Sequence, residues 1–202
     1  MAESSNRHLI IVGISGVGKT TVISRAAELL KDNGYNPSVL VFGTLMLEEA
    51  KKIGVKNRDE MRKLSIIDQR RLQEMAANKI AEMKSVNSIM IIDTHLFINT
   101  NEGYYPGIPE RLLNIIKPTH MVLIAADPSE VVERRRSDGT RNRDIASIEA
   151  VQSELDISKV MIVTCSVLTG SPFMIIMNNH NKMEDAASTI ANILSDKGRK
   201  IS

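Results

Sequence analysis

The chain alternates short, uninterrupted apolar runs with longer stretches in which apolar residues recur at helical spacing. Apolar runs of this length predict strands buried on both faces, as in a parallel sheet. Strands that alternate with helices favour a three-layer α/β fold, in which ligands bind at the carboxyl ends of the strands. The five predicted strands are residues 9–12, 39–42, 89–92, 121–125 and 173–177.

Start signals and apolar stripes predict the helices between these strands. One stripe follows the first strand over 21–31, and another runs over 72–83 behind a possible cap formed by Ser65 and Asp68. The pair Asp127-Pro128 predicts a helix start, because proline has no N–H to leave unpaired in the first turn. A last stripe predicts a closing helix over 183–194.

Composition limits the class of protein. With 202 residues, of which 43% are hydrophobic, the chain 1–202 is expected to form a single domain. A formal net charge of +2 gives no reason to expect a nucleic-acid partner. The lone Cys165 excludes an internal disulfide, makes a zinc site unexpected and is expected to be a small core residue. Because the sequence contains neither a signal-like leader nor an apolar run of membrane-spanning length, we expect a cytoplasmic protein that does not enter a membrane.

A phosphate-binding motif follows the first predicted strand. Residues 13–20 fit the pattern G-x-x-x-x-G-K-[ST] at every fixed position, and the strand before them and the helix after them are the context that this motif needs. Backbone N–H groups of such a loop cradle phosphate, and its lysine adds a mobile positive charge. The alternative is a glycine-rich turn. The predicted nucleotide-binding residues are Gly13, Ile14, Ser15, Gly16, Val17, Gly18, Lys19, Thr20 and Thr21.

A carboxylate ends the third predicted strand, at the sheet edge where the phosphate loop should open. Asp93 could hold Mg²⁺ opposite the Thr20 hydroxyl, usually through water. An aspartate after a strand is also a common turn or capping residue. We therefore expect a magnesium site at Thr20 and Asp93, and no zinc.

Five arginines lie close together near residue 140. Arg141 and Arg143 fall in a predicted loop over 137–144, where planar guanidinium groups suit the oxygens of a transferred phosphoryl group. We interpret this loop as a short lid. The alternative is a solvated basic helix end, and it stays open for Arg134, Arg135 and Arg136, since three consecutive residues of a helix cannot all face one ligand.

A second polar locus lies between the second and third strands. Thr44, Arg58 and Arg62 could form an acceptor pocket. The alternative is that Thr44 caps a helix and that both arginines are simply exposed. The turn-rich segment 103–109 is predicted to be a loop on the acceptor side, where His95 is either a ligand contact or a structural histidine. Residues 178–181 predict a turn into the last helix that could border the donor base.

Taken together, these segments resemble adenylate kinases of the short archaeal type over residues 9–194. The most specific pieces are the segments 13–21, 42–44, 58–64, 93–95, 103–109, 140–144 and 167–170. The resemblance implies a nucleoside monophosphate kinase fold of the P-loop superfamily, with 43–83 as an AMP-binding insert and 137–144 as a short arginine-rich lid. It also implies ATP, AMP and ADP as substrates, Mg²⁺ as cofactor, and a homotrimer. The long, zinc-binding lid of many bacterial relatives is absent from this sequence.

The resulting hypothesis is reversible, in-line phosphoryl transfer from Mg·ATP to AMP. Lys19, Arg62, Arg141 and Arg143 are the predicted catalytic residues, with no general base, because a phosphate oxygen is already a nucleophile at neutral pH. Two rivals remain open. One is a kinase for another nucleoside monophosphate or a small metabolite, and the other is an ATP-dependent switch that binds RNA or the ribosome.

Overall fold

A parallel sheet forms the centre of the fold. The computed structural model describes residues 6–83, 89–100, 103–137 and 147–195. The strands within them are β1 (Arg7–Val12), β2 (Ser38–Val41), β3 (Ile89–Asp93), β4 (Phe97–Thr100), β5 (Gly103–Pro106), β6 (His120–Ala125) and β7 (Phe173–Met177). Five of them form a parallel sheet in the order β2-β3-β1-β6-β7, and β4 and β5 form an antiparallel hairpin.

Helices cover both faces of this sheet. The helices are α1 (Lys19–Asp32), α2 (Phe42–Lys52), α3 (Arg58–Arg62), α4 (Ile66–Met83), α5 (Glu110–Ile116), α6 (Pro128–Ser137), α7 (Ile148–Thr169) and α8 (Met183–Leu194). Alternate residues of β1 point to opposite faces: Leu9 and Ile11 pack with α1, α6 and α8, whereas Ile10 and Val12 pack with α2, α4 and α5. The long helix α7 contributes to both apolar clusters.

Strand register brings the segments singled out in the sequence to one edge of the sheet. Asp93, the last residue of β3, lies beside Ile11 of β1 and beside Val41 of β2. The connection after β1 runs towards β2, whereas the connection after β6 runs towards β7 on the opposite side. The phosphate loop therefore lies where neighbouring connections diverge, which is where ligands bind in open α/β sheets.

The five-stranded parallel sheet predicted from the sequence is confirmed, with three corrections. Phe42 begins α2 instead of ending β2. The prediction that every strand is buried on both faces is wrong for the edge strands, because Val39 and Val41 of β2 and all of β7 except Ile176 are exposed. Residues 103–106 form a strand instead of a loop, pairing with β4.

The predicted helix starts are confirmed where their caps are described. Ser65 Oγ accepts a hydrogen bond from the Asp68 N–H at 3.1 Å, and Asp127 Oδ1 accepts one from the Ser129 N–H at 2.9 Å. The hydroxyl and N–H of Ser129 also keep the pKa of Asp127 below its ordinary value. The helix α7 carries apolar residues almost all round, so no single stripe predicts it.

Two further findings concern the lone cysteine and the apolar character of the helices. Cys165 lies in the core, as predicted, and burial raises the pKa of its thiol. Among the described residues, no helix combines the length and apolar character that crossing a bilayer requires.

Candidate active site

The phosphate loop links the end of β1 to the start of α1 in a conformation that needs glycine. Gly16 and Gly18 have φ angles of 89° and 79°, in the left-handed region that residues with a Cβ rarely adopt. A Cβ on Gly13 would lie 2.6 Å from the carbonyl oxygen of Ile124 in β6, so that position has no room for a side chain. The loop is thus packed closely against the neighbouring strand.

The first turn of α1 presents its backbone N–H groups at the same edge. Gly18 is the N-cap residue, and no side chain caps the helix. Unpaired N–H groups and the positive end of the helix dipole favour an anion at this position. The loop and the helix start can therefore bind phosphate together.

A buried ion pair joins the phosphate loop to β3. Lys19 Nζ donates a hydrogen bond to Asp93 Oδ1 at 2.5 Å, and each residue is only 8% exposed. Asp93 is fixed by the ladder between β1 and β3, and the next residue, Thr94, donates its N–H to the Ile11 carbonyl at 3.0 Å. The strand-end carboxylate therefore lies at the sheet edge where the phosphate loop opens, as expected from the sequence, whereas its ion pair with Lys19 was not predicted.

The Thr20 hydroxyl belongs to an exposed residue, one position after Lys19 in the first turn of α1. A hydroxyl and a carboxylate are hard oxygen donors of the kind that Mg²⁺ prefers. No group of three or more His, Cys, Asp or Glu side chains in the described ranges is arranged to hold a metal ion. The donor set suits an ion that takes its other ligands from water and substrate phosphates.

The predicted acceptor residues lie on the helices between β2 and β3. Arg58 Nη2 donates to Thr44 Oγ1 at 3.0 Å, so the structure brings these two residues together across α2 and α3. Arg62 pairs with Asp59 in its own helix at 2.9 Å, and 61% of its side chain is exposed. Within the described part of the chain, the exposed guanidinium is therefore held only by a neighbour three residues away.

The β4-β5 hairpin and its following turn lie beside this region. Gly107 donates its N–H to the Leu96 carbonyl at 2.7 Å, and its Cα approaches the His95 carbonyl too closely for a Cβ. Under the hairpin, the buried Gln73 accepts a hydrogen bond from Arg111 Nη2 at 2.6 Å. Gln73 is not among the residues predicted from the sequence, although a glutamine within an apolar helix stripe is a recognisable signal.

The three consecutive arginines of α6 have different surroundings. Arg134 pairs with Glu130 at 2.7 Å, and Arg135 pairs with Glu154 of α7 at 2.6 Å. Arg136 is exposed. The expectation that the three cannot all face one ligand therefore agrees with the structure, in which Arg134 and Arg135 approach the phosphate loop. The predicted catalytic residues Arg141 and Arg143, and all of the predicted lid after Ser137, lie outside the described residues.

The turn after β7 also contacts the phosphate loop. Asn178 is 5% exposed, and its Nδ2 donates to the Val17 carbonyl at 2.8 Å. Asn179 Oδ1 accepts the Asp127 N–H at 3.0 Å, which ties this turn to the start of α6. The sequence predicts a turn at this segment, but no pattern in it marks Asn178 as a partner of the loop.

Known proteins resemble this chain over nearly its whole length. A family model described as an AAA domain matches residues 12–152. The chain is 39% identical to an adenylate kinase of Methanocaldococcus jannaschii, over 94% of this chain and 98% of that protein. An adenylate kinase of Saccharolobus solfataricus is also 39% identical, over 92% of this chain and 97% of that protein. The chain belongs to the adenylate kinase family.

The resemblance inferred from the sequence segments is thus confirmed at the level of the family. Solved structures support the fold: a shikimate kinase from Bacteroides thetaiotaomicron superimposes with a TM-score of 0.59 at 14% identity, covering 93% of this chain and 98% of that one. A sugar kinase from Janibacter gives a TM-score of 0.53 at 12% identity. At such low identity these likenesses concern the P-loop kinase architecture alone.

Proposed function

We propose that this member of the adenylate kinase family transfers the terminal phosphoryl group of Mg·ATP to AMP, giving two ADP, and catalyses the reverse reaction. The observation that carries the proposal is the buried Lys19–Asp93 pair beneath a glycine-rich loop, in a chain 33–39% identical to adenylate kinases over more than nine-tenths of its length. The donor phosphates would lie between this pair and the first turn of α1.

Positioning and charge neutralisation account for the chemistry. The loop N–H groups hold the donor phosphates, and Lys19 accompanies the negative charge as it develops on the transferred group. Arg62, with Arg58 beside it, binds the acceptor phosphate and places its oxygen in line. Arg141 and Arg143 are proposed to close over the reacting phosphates and exclude water, which would otherwise hydrolyse ATP.

Mg²⁺ fits the donor set of Thr20 and Asp93. When bound, the ion neutralises charge on the β- and γ-phosphates. In the described residues, Asp93 Oδ1 is held by Lys19, so Oδ2 is the oxygen left to face an ion or its water. The proposal predicts that activity requires Mg²⁺ and that chelation abolishes it.

The decisive experiment measures ADP formation from ATP with a panel of acceptors. We expect rapid turnover with AMP and much slower turnover with CMP and UMP. Lys19→Met, whose turnover should be at least about 100-fold lower, serves as the control for contaminating host kinase. A bisubstrate mimic that joins two adenosines through phosphates should bind one to one. Preference for another acceptor would identify a different kinase, and ATP binding without an acceptor site would favour the RNA-linked switch.

We also propose that the protein is a homo-oligomer, a trimer by family resemblance. The edge strand β7 exposes Phe173, Ile175 and Met177, and the adjacent α7 exposes Val160 and Val167, at 68% and 78%. An open strand edge beside exposed apolar side chains is typical of an interface. The expected absence of a nucleic-acid partner and the cytoplasmic location both stay predictions.

Sedimentation velocity tests the oligomer. Ile175→Lys places a charge on the proposed interface and should dissociate the assembly, whereas Ile67→Lys, at a 77% exposed position of α4, should leave it intact. A monomeric wild-type protein at micromolar concentration would contradict the proposal.

A further inference from the structure

Two carbonyl oxygens of the phosphate loop are hydrogen-bonded by side chains from outside the loop. Arg135 Nε of α6 donates to the Ser15 carbonyl at 2.9 Å, and Asn178 Nδ2, just after β7, donates to the Val17 carbonyl at 2.8 Å. These donors lie 120 and 161 residues from their acceptors along the chain. The tertiary fold, and not the loop alone, therefore supplies these contacts.

The planar peptide bond converts each contact into an orientation of the following N–H. In a trans peptide the C=O and the next N–H point in opposite directions. With the Ser15 carbonyl directed at Arg135, the Gly16 N–H points away from α6. With the Val17 carbonyl directed at Asn178, the Gly18 N–H likewise points away from the turn after β7. The direction of both N–H groups is thus set by side chains that lie outside the loop.

Close packing leaves the two glycines little room on the same side. A Cβ on Gly16 would lie 3.1 Å from Arg135 Cγ, and a Cβ on Gly18 would lie 2.5 Å from Asn178 Nδ2. Each glycine therefore has one of these side chains directly against its Cα. The contacts restrict the loop sterically as well as by hydrogen bonding.

Both residues are themselves held by other elements, Arg135 through its side chain and Asn178 through its backbone. The Arg135 side chain is 10% exposed and pairs through Nη2 with Glu154 of α7 at 2.6 Å. The backbone N–H of Asn178 donates to the Ala125 carbonyl at 2.7 Å, and its carbonyl accepts from Arg134 Nη2 at 3.0 Å. Because these partners belong to β6, α6 and α7, the loop is braced by the same elements that form the core.

We propose that Arg135 and Asn178 are positioning residues, which hold the loop N–H groups ready for the donor phosphates without touching the nucleotide. This inference rests on the proposed role of the loop in binding donor phosphate. Arg135 then neither contacts a phosphate nor forms a solvated helix end, the two alternatives open from the sequence, but acts on the protein backbone. Preorganised donors bind an anion more tightly, because they need no rearrangement on binding.

The test uses Arg135→Lys, which keeps a charge beside Glu154 but lacks the fork that reaches Ser15 at the same time, and Asn178→Ser, which shortens the amide. Loss of one such hydrogen bond should raise the KM for ATP by about threefold to tenfold. The KM for AMP should change less than twofold. Inorganic tripolyphosphate, which has no base or ribose, should weaken as an inhibitor by the same factor as ATP.

Matched controls separate positioning from general damage. Arg136→Lys alters the exposed neighbour in α6, and Asn33→Ala removes an amide-to-carbonyl hydrogen bond of 2.6 Å at the far end of α1. Neither should change the KM for ATP or the inhibition by tripolyphosphate. Thermal melting of every variant shows whether it is folded.

Three results would overturn the inference. A lower Tm with unchanged ATP and tripolyphosphate affinities would make the contacts merely structural. A fall in kcat with unchanged KM would put Arg135 on the transferred group. Weaker ATP binding with unchanged tripolyphosphate binding would put these residues at the base or ribose. Calorimetric titration with tripolyphosphate needs no turnover, so the inference can be judged even if AMP proves not to be the acceptor.

Discussion

The two sides of the proposed cleft are built in different ways. On the donor side, Lys19, Asp93 and Asn178 are buried, and their partners are 74 to 161 residues distant in the chain. On the acceptor side, Arg62 is exposed, and its partner Asp59 is three residues away. The donor groups are thus positioned by the core, whereas this acceptor group is positioned by a single short helix.

This difference predicts how the two sides respond to mutation. A buried, charged partner left alone is costly, so changes on the donor side should lower stability and function together. Exposed ion pairs contribute little to stability because water screens them, so changes on the acceptor side should alter function alone.

Lys19→Met should reduce kcat by about 100-fold to 1000-fold or more. This is the usual effect of removing one hydrogen-bond donor that stabilises the charge developing in the transition state. It should also lower the free energy of unfolding by up to about 3–5 kcal/mol, because Asp93 loses its partner in a buried site. Turnover is measured by ADP formation, and stability by urea denaturation.

The matched control is the double variant Lys19→Met/Asp93→Asn. Removing the stranded charge should restore most of the lost stability while turnover stays low. If the single variant were as stable as the wild type, the Lys19–Asp93 pair would not stabilise the donor side. The two sides would then not differ in how mutation affects their stability.

The sequence predicts the donor side better than the acceptor side for a physical reason. A phosphate loop is encoded by a local sequence pattern, so its fixed glycines, Gly13 and Gly18, are recognisable from spacing alone. The partners that brace it, Arg135 and Asn178, are brought there by packing between elements far apart in the chain, and no local pattern marks them. The acceptor residues Thr44 and Arg58 could be proposed as neighbours, but their hydrogen bond depends on how α2 and α3 pack.

The positions of the five apolar strands are predicted well from the sequence. The errors concern the burial of the edge strands and the hairpin outside the main sheet. The edge strand β7 is apolar although it is largely exposed, so composition cannot distinguish a strand covered by helices from one that a partner would cover. The β4-β5 hairpin was missed because residues 103–106 carry glycine and proline, which usually indicate loops.

Two glycines provide a second comparison between the two sides. Gly13→Ala should lower the free energy of unfolding by about 1–3 kcal/mol, because its Cβ would overlap the backbone oxygen of Ile124 at 2.6 Å. Gly43→Ala should raise it by about 0.4–1 kcal/mol, because Gly43 is helical and its Cβ would have no neighbour closer than Arg58 Nη2 at 4.0 Å.

Urea denaturation of both variants checks the glycine pair, since changes of opposite sign are expected. Equal effects at the two positions would mean that the donor loop can shift away from β6, and that it is no more tightly packed than the start of α2.

Arg62→Gln should raise the KM for AMP by about tenfold, the lower end of the range for a lost hydrogen bond to a charged group, because the site is exposed to water. The KM for ATP should change little. The free energy of unfolding should stay within about 0.5 kcal/mol of the wild-type value, since the exposed pair with Asp59 contributes little to stability.

Arg70→Gln, at an exposed position of α4, is the matched control and should leave both KM values unchanged. A rise in the KM for ATP equal to that for AMP would show that Arg62 is shared between the two nucleotides. The division into a core-positioned donor side and a locally positioned acceptor side would then have to be redrawn at this residue.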